Sequence, residues 1–276
     1  MWTDDLITLG FLKQGGSPLR ALLRFQRRAR SRYRKTLAGE SISEEPAYAG
    51  PEDGAEHPET LAEIARWITK RYRAPLGYFE LAKIETWGWL RQDMAAAWRE
   101  RMTTIAALGG TISGPYGDTK RPLMKIISAG ASRFSFHICG RAVDLNQGYS
   151  CYFPVREPQG AQTLWRILCR TSDQSGAQGL PIRGGAYHNF FERGEAPLPA
   201  GYYLDLTAEI ERGGWFERIP AQNGWERDSR LSEWWHFQWS PEKQKTFQDE
   251  CELAGITEEQ LRAAGYGDAD LDHPPG

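Results

Sequence analysis

No run in this chain approaches the roughly 20 consecutive apolar residues that a bilayer-spanning helix needs, so no membrane span is expected. Charge of one sign is also missing. The 34 Lys and Arg against 36 Asp and Glu leave a formal net charge of -2. That balance speaks against nucleic acid as the main partner, because a phosphate-binding face shows as a strong basic excess. Cysteine is sparse, and Cys139, Cys151, Cys169 and Cys251 form no C-x-x-C pair, which argues against a zinc knuckle or a thioredoxin-type redox centre. Free thiols suit a reducing cytosol, and a Cys139–Cys151 disulfide stays open for a chain that later works in an oxidising compartment. The opening Met1-Trp2-Thr3-Asp4-Asp5 is polar and acidic and lacks the marks of a cleavable secretory leader. Histidine is scarce too, with five in 276 residues. What the chain does hold is apolar and aromatic material, 11 tryptophans included, enough for a sizeable core and too much for a disordered protein.

Two of the five histidines sit in informative surroundings. In Ser135-Phe136-His137-Ile138-Cys139-Gly140-Arg141-Ala142-Val143-Asp144, a histidine and a carboxylate lie seven positions apart around a glycine, whose conformational freedom lets the chain turn back between them. Far downstream, Glu233-Trp234-Trp235-His236 supplies a second histidine with a glutamate three residues before it. Two neutral imidazoles and one carboxylate make a three-ligand set for a catalytic Zn2+ whose fourth position is left to water. Glu233 as a fourth ligand would close that position, so its better use is to take a proton from the attacking water and return it to a leaving amine. Co2+ or Mn2+ would also accept imidazole and carboxylate. Asp144 falls in a short alternating run that reads as a strand. His57, His188 and His273 lack such surroundings and read as structural or solvent-facing.

The two segments resemble the D-alanyl-D-alanine metallopeptidases, the family of VanX-type and VanY-type enzymes and several phage endolysins. The signature S-x-H-x-x-G-x-A-x-D followed by E-x-W-H is matched by Ser135, His137, Gly140, Ala142, Asp144, Glu233, Trp235 and His236. The resemblance implies that His137, Asp144 and His236 hold the metal and that Glu233 is the catalytic acid/base. It also implies an oxyanion-stabilising arginine in an upstream S-G-Y-R-like loop. Here the corresponding run, residues 112–122, keeps Ser113, Gly114 and Tyr116 but displaces the arginine. Arg121 is the first choice, with Arg133 and Lys120 behind it and a solvated loop charge as the plain alternative. Ser135 either bonds substrate backbone or shapes its own loop, and Trp235 is a candidate wall for substrate.

The first 74 residues read as helical. Leu6, Leu9 and Leu12, then Leu19, Leu22, Leu23 and Phe25, recur at helical spacing around a Gly15-Gly16-Ser17-Pro18 break in which Ser17 offers a cap. The basic run over residues 27–35 reads as a solvated helix face, a loop follows over 39–58, and helical spacing resumes at 59–72. This part resembles the three-helix peptidoglycan-binding module found beside many wall hydrolases, through Leu9-Gly10-Phe11-Leu12, Ala21-Leu22-Leu23-Arg24-Phe25-Gln26, Asp53-Gly54 and Glu59-Thr60-Leu61. A plain helical cap is the alternative.

Beyond it, the spacing predicts a helix over 85–108 stopped by Gly109-Gly110, strands at 142–145, 164–170 and 233–239, and a helix over 205–212 stopped by Gly213-Gly214. The expected fold is α+β: a small antiparallel sheet carrying a zinc site flanked by helices, preceded by a small three-helix domain. The expected division is 1–74 helical module, 75–245 catalytic domain and 246–276 peripheral acidic tail. Together these readings lead to a zinc metallopeptidase of peptidoglycan that cuts a stem-peptide or cross-link amide. A polymer-binding module favours endopeptidase over carboxypeptidase. Without a leader, the expectation is synthesis in the cytoplasm and release by phage-style lysis or by a secretion apparatus, as an antibacterial effector with an immunity partner. The alternative is a non-catalytic wall-binding protein that retains a zinc site.

Overall fold

The computed structural model describes residues 2–84, 88–112, 117–123 and 132–276, and the chain is mixed α+β with antiparallel pairing throughout its small sheets. Eight α-helices lie among the described residues, and no described helix is long and apolar enough to cross a membrane. The chain divides into two compact units, residues 1–80 with 244–275, and residues 81–243 with Gly276.

In the first unit, helices α1 (Trp2–Thr8), α2 (Pro18–Ala29) and α3 (Pro58–Lys70) accompany strands β1 (Tyr33–Thr36), β2 (Ser41–Ser43) and β3 (Tyr72–Arg73), paired in the order β2-β1-β3. Ser17 caps α2 as its spacing predicts, accepting from the Arg20 N–H, and Pro18 opens the helix. The apolar stripe converges on Leu6, Phe11, Leu22, Phe25 and Trp67. There the Phe25 and Trp67 rings meet edge to face at 5.3 Å, a geometry favoured by the aromatic quadrupole.

Two expectations change here. The basic run is not a solvated helix face: α2 ends at Ala29, the chain turns into β1, and Arg28 and Arg34 are 1 % and 0 % exposed. The acidic segment after 246 is not a peripheral tail either. It forms α6 (Phe247–Leu253), α7 (Glu258–Ala263) and α8 (Asp268–Leu271) within this same unit, and every residue of α6 is buried. The two surprises explain each other. Arg28 pairs with Asp249 at 3.0 Å, Arg27 with Asp272 at 2.8 Å, and Arg24 with Glu258 at 3.0 Å and with Glu252. A buried guanidinium needs partners: the acidic helices supply them for Arg28, and Arg34 donates instead to the backbone carbonyls of Arg28, Ala29 and Tyr33. Thus the unit has six helices and a sheet where a three-helix module was expected.

The second unit opens with β4 (Leu81–Ile84) and β5 (Gly88–Arg91), an antiparallel pair, and then α4 (Gln92–Ala107). The helix expected from 85 therefore begins at Gln92, and residues 85–87 lie outside the described residues. Gly88 and Leu90 are buried while Trp89 between them is exposed; this period of two overrides the local helical composition. Strand β6 (Ala142–Asp144) precedes the long hairpin of β7 (Tyr152–Gln159) and β8 (Gln162–Arg170). Then come β9 (Leu180–Ile182), β10 (Ala186–Asn189), β11 (Gly194–Pro197), β12 (Gly201–Asp205), α5 (Leu206–Glu211), β13 (Phe216–Arg218) and β14 (His236–Trp239). Asp205 caps α5 by accepting from the Ala208 N–H, and Gly213 and Gly214, at φ 89° and 72°, follow its end. The sheets run β7-β8-β12-β9, β10-β11 and β13-β14-β6. Trp98, Ile167, Leu206 and Phe237 are among the residues of the core beneath them.

Candidate metal centre

Strand pairing places two of the proposed ligands. β14 runs antiparallel to β6 with His236 directly opposite Asp144, so the two side chains leave the same face as a cross-strand pair. His236 Nδ1 lies 2.9 Å from Asp144 Oδ1. A tight turn delivers the third: Ile138, Cys139 and Gly140 donate backbone hydrogen bonds to Ser135, Phe136 and His137 in succession. Gly140 closes that turn at φ 68°, with its Cα so near the Arg91 backbone that a Cβ would stand 3.1 Å from the Arg91 nitrogen. His137 Nε2 then lies 3.1 Å from Asp144 Oδ1 and 3.2 Å from His236 Nδ1. The three residues are buried, and their donor atoms converge closely enough to hold one metal ion.

Surrounding groups fix these orientations. His137 Nδ1 is 2.7 Å from the Thr119 carbonyl. A carbonyl only accepts, so Nδ1 carries a proton and Nε2 is the inward nitrogen. Asp144 N–H donates to Asp118 O, Gly117 N–H to Asp144 O, and Arg121 N–H to His137 O, at 2.8, 2.9 and 3.0 Å. Residues 117–121 are thereby tied to both ligands of the first motif. Arg141, within that motif and fully buried, donates to the carbonyls of Trp239 and Pro241 at 3.2 and 2.5 Å. It holds the far end of β14 against β6.

Charges in the cluster respond to one another. Burial alone would raise the Asp144 carboxyl, but His137 and His236 outweigh it and hold Asp144 well below the usual carboxylate range. His137 is the complement: burial pushes its imidazole down, and Asp144 more than restores it, leaving it raised. Glu233 is different. Burial, with the Asp144 charge adding to it, lifts its carboxyl from 4.5 to about 7, against the opposing pull of His236, Gln222 and Arg121.

Glu233 adopts φ 54°, a left-handed conformation that costs a non-glycine residue about 1–2 kcal/mol. Its carbonyl accepts from the His236 N–H at 3.1 Å, which makes the strained residue part of the turn that introduces β14. Gln222 Nε2 donates to Glu233 Oε1 at 2.6 Å. Nothing in the sequence marks Gln222, which sits in an irregular loop eleven residues upstream with no spacing rule to single it out.

All the proposed site residues border one hollow of about 410 Å3, where Arg121, Ser135, Gln222, Glu233 and Trp235 surround the three ligands. Of the three candidate cations, Arg121 lines this hollow. Its Nε and Nη2 reach Asp118 Oδ2 at 2.6 and 2.5 Å, and among the described residues Nη1 has no acceptor. Lys120 donates to the Arg121 carbonyl, and Arg133 lies over the Phe134 ring. Ser113, Gly114 and Tyr116 of the arginine-loop reading lie outside the described residues. Ser135 Oγ accepts from the His137 N–H at 3.2 Å, so it shapes the ligand's own turn. Trp235 is 6 % exposed and meets Phe190 edge to face at 5.3 Å. His57 pairs with Asp53, and His188 is buried among aromatic rings. All four cysteines are free thiols. Compared with family models, curated proteins and solved structures, the chain finds no match.

Proposed function

We propose that this chain is a zinc-dependent peptidase of peptidoglycan that hydrolyses an amide bond of the stem peptide or cross-link, with endopeptidase favoured over carboxypeptidase. The observation that carries the reading is the convergence of His137 Nε2, Asp144 Oδ1 and His236 Nδ1 beside the buried, uncoordinated carboxyl of Glu233. A tetrahedral zinc with bonds of about 2.05 Å needs donors about 3.3 Å apart, and the observed triangle of 2.9, 3.1 and 3.2 Å is close to that size. Two imidazoles and one carboxylate leave a coordination position open, as catalytic sites do and structural zinc sites do not. The signature S-x-H-x-x-G-x-A-x-D with E-x-W-H supports the substrate class.

Zinc bound there supplies Lewis acidity toward the scissile carbonyl and a water acidified to a pKa of about 7. Glu233 receives the proton of the attacking water and passes it to the departing amine. Gln222 fixes one carboxylate oxygen so that the other stays available for that transfer. Arg121, steered by Asp118, offers its remaining amino group to the carbonyl oxygen as negative charge gathers on it. Trp235 walls the hollow against bulk water and gives the substrate an apolar surface. On this reading the first unit holds the enzyme on its polymer, as the resemblance of its sequence to a wall-binding module suggests.

The test is mass spectrometry of muropeptides from purified peptidoglycan incubated with the zinc-loaded protein. Loss of cross-linked species and appearance of products heavier by one water are expected. An unchanged profile with one zinc bound per chain would overturn the proposal.

A further inference from the structure

A second hollow in the same unit, of about 330 Å3, is lined by residues of β7, β8 and the β10–β11 hairpin together with Trp225, Glu226 and Ser229. Its depth is aromatic. Trp165 and His188 lie near-stacked at 4.9 Å and 33°, and Trp225 meets Trp165 edge to face at 5.0 Å. Yet the indole Nε1 of Trp165 and the Nε2 of His188 are both buried and find no hydrogen-bond partner among the described residues. An unmet buried polar group costs about 1–3 kcal/mol, so an indole N–H and an imidazole nitrogen left unmet in one pocket call for explanation. The rim carries charges of both signs, Arg156 and Arg193 with Glu195 and Glu226.

We propose that this hollow is a sugar subsite that takes an N-acetylated hexosamine ring, its acetamido group accepting from the Trp165 indole N–H and pairing with the His188 imidazole nitrogen, and its hydroxyls meeting the mixed rim. Three features narrow the ligand to that chemistry. Aromatic walls accept the C–H faces of a pyranose and the acetamido methyl. Because an indole N–H only donates, the ligand must bring an acceptor into an otherwise apolar depth. A rim of two cations and two carboxylates favours neither an anion nor a cation, whereas a hydroxyl both donates to glutamate and accepts from arginine. The volume, at the lower end for ligand sites, suits one ring with a short substituent.

Position connects this subsite with the metal centre. Gln222, Arg230 and Glu233 border the metal hollow, while Trp225, Glu226 and Ser229, from the same stretch of chain, border the second. The segment over 219–233 is thus a wall shared by both. The proposal rests on the peptidoglycan reading only for which polymer carries the sugar, because binding itself needs neither zinc nor catalysis.

The β-1,4-linked trimer of N-acetylglucosamine and its glucose counterpart, cellotriose, serve as probes, with titration followed by tryptophan fluorescence and calorimetry on the full chain. Saturable binding of the acetylated trimer is expected, at least about tenfold tighter than cellotriose, and unchanged in Glu233→Gln protein or after zinc removal. Trp225→Ala, a half-buried position, and Arg156→Ala, an exposed one, should each weaken it, the first by about tenfold or more, with thermal unfolding reporting that both variants fold. No saturation by about 10 mM, equal affinity for the two trimers, or wild-type affinity in folded Trp225→Ala protein would overturn the subsite. Sugar binding without peptide cleavage would leave this site standing and remove the peptidase; cleavage without sugar binding would do the reverse.

Discussion

Replacing Glu233 by Gln separates catalysis from stability, because the two respond in opposite directions. The substitution keeps the shape, and the amide oxygen can still accept from Gln222, whose bond to Glu233 Oε1 is 2.6 Å. The left-handed backbone at φ 54° strains either residue alike. What disappears is a buried titrating carboxyl lifted from 4.5 to about 7 in the metal-free protein. A folded-state value above the unfolded one means that the native state binds the proton more tightly. The stabilisation from that proton is complete below pH 4.5 and is lost as pH rises through about 7. A rise from 4.5 to about 7 corresponds to about 3 kcal/mol, so metal-free Glu233→Gln protein should be more stable than wild type at pH 8 by up to about that amount. At pH 4 the two should converge. Denaturant unfolding in the presence of chelator at both pH values measures the difference. In the zinc-loaded enzyme the same change should lower kcat for peptidoglycan by about 10²–10⁴-fold while one zinc per chain stays bound. Activity within tenfold of wild type, or identical stability at pH 8, would refute the role and the environment assigned to Glu233.

Asp144→Asn removes the only carboxylate of the ligand triangle and should weaken zinc binding by more than about a hundredfold, since loss of outer-shell partners alone costs 10–100-fold; competition with a chromophoric chelator reads this. Gln222→Ala should leave zinc affinity intact and lower kcat. Because the Gln222 bond pulls the Glu233 carboxyl down, its loss should also move the acid limb of the pH–rate profile to higher pH. Gly140→Ala meets both a φ of 68° and a Cβ placed 3.1 Å from the Arg91 nitrogen, so equilibrium unfolding should show a loss of about 1–2 kcal/mol or more. In the first unit Glu258 is held below its usual range: burial would raise it, but Arg262 and Arg24 outweigh that. Its contribution is present above the unfolded value of 4.5 and lost as pH falls below it, so Glu258→Gln should flatten the fall in melting temperature between pH 5 and pH 3.

The parts of this molecule legible in the sequence are those fixed by short-range rules. Ser17 before Pro18 announces the start of α2, and Gly213-Gly214 the end of α5. The alternation in residues 142–145 marks β6. The basic run departs from its expected solvation for an identifiable reason: a charge run is solvated unless something acidic covers it, and the cover for Arg27 and Arg28 lies more than 200 positions away, at Asp272 and Asp249. No local window holds both halves. The β4–β5 pair was missed for a related reason, since Ala- and Trp-rich sequence on either side of Gly88 satisfies a helical period as well as a strand period.

The metal centre behaves in the opposite way, and the contrast is instructive. His137 and His236 are 99 positions apart, also beyond the reach of any local window, yet they are nameable because the chemistry of a three-ligand site restricts residue type while strand pairing restricts position. Once β6 and β14 are in register with His236 opposite Asp144, one residue of slippage would turn His236 to the other face of the sheet. Register is therefore the physical variable on which the ligand set depends. It is set away from the centre, by the buried guanidinium of Arg141 on the carbonyls of Trp239 and Pro241 and by Val143 packed opposite Phe237 in the core. The groups that tune reactivity, Gln222 against Glu233 and Asp118 against Arg121, obey no comparable restriction, because any donor or carboxylate on a loop of suitable reach would serve. A sequence discloses a site to the extent that its geometry admits few residue types, and the supporting loops of this centre admit many.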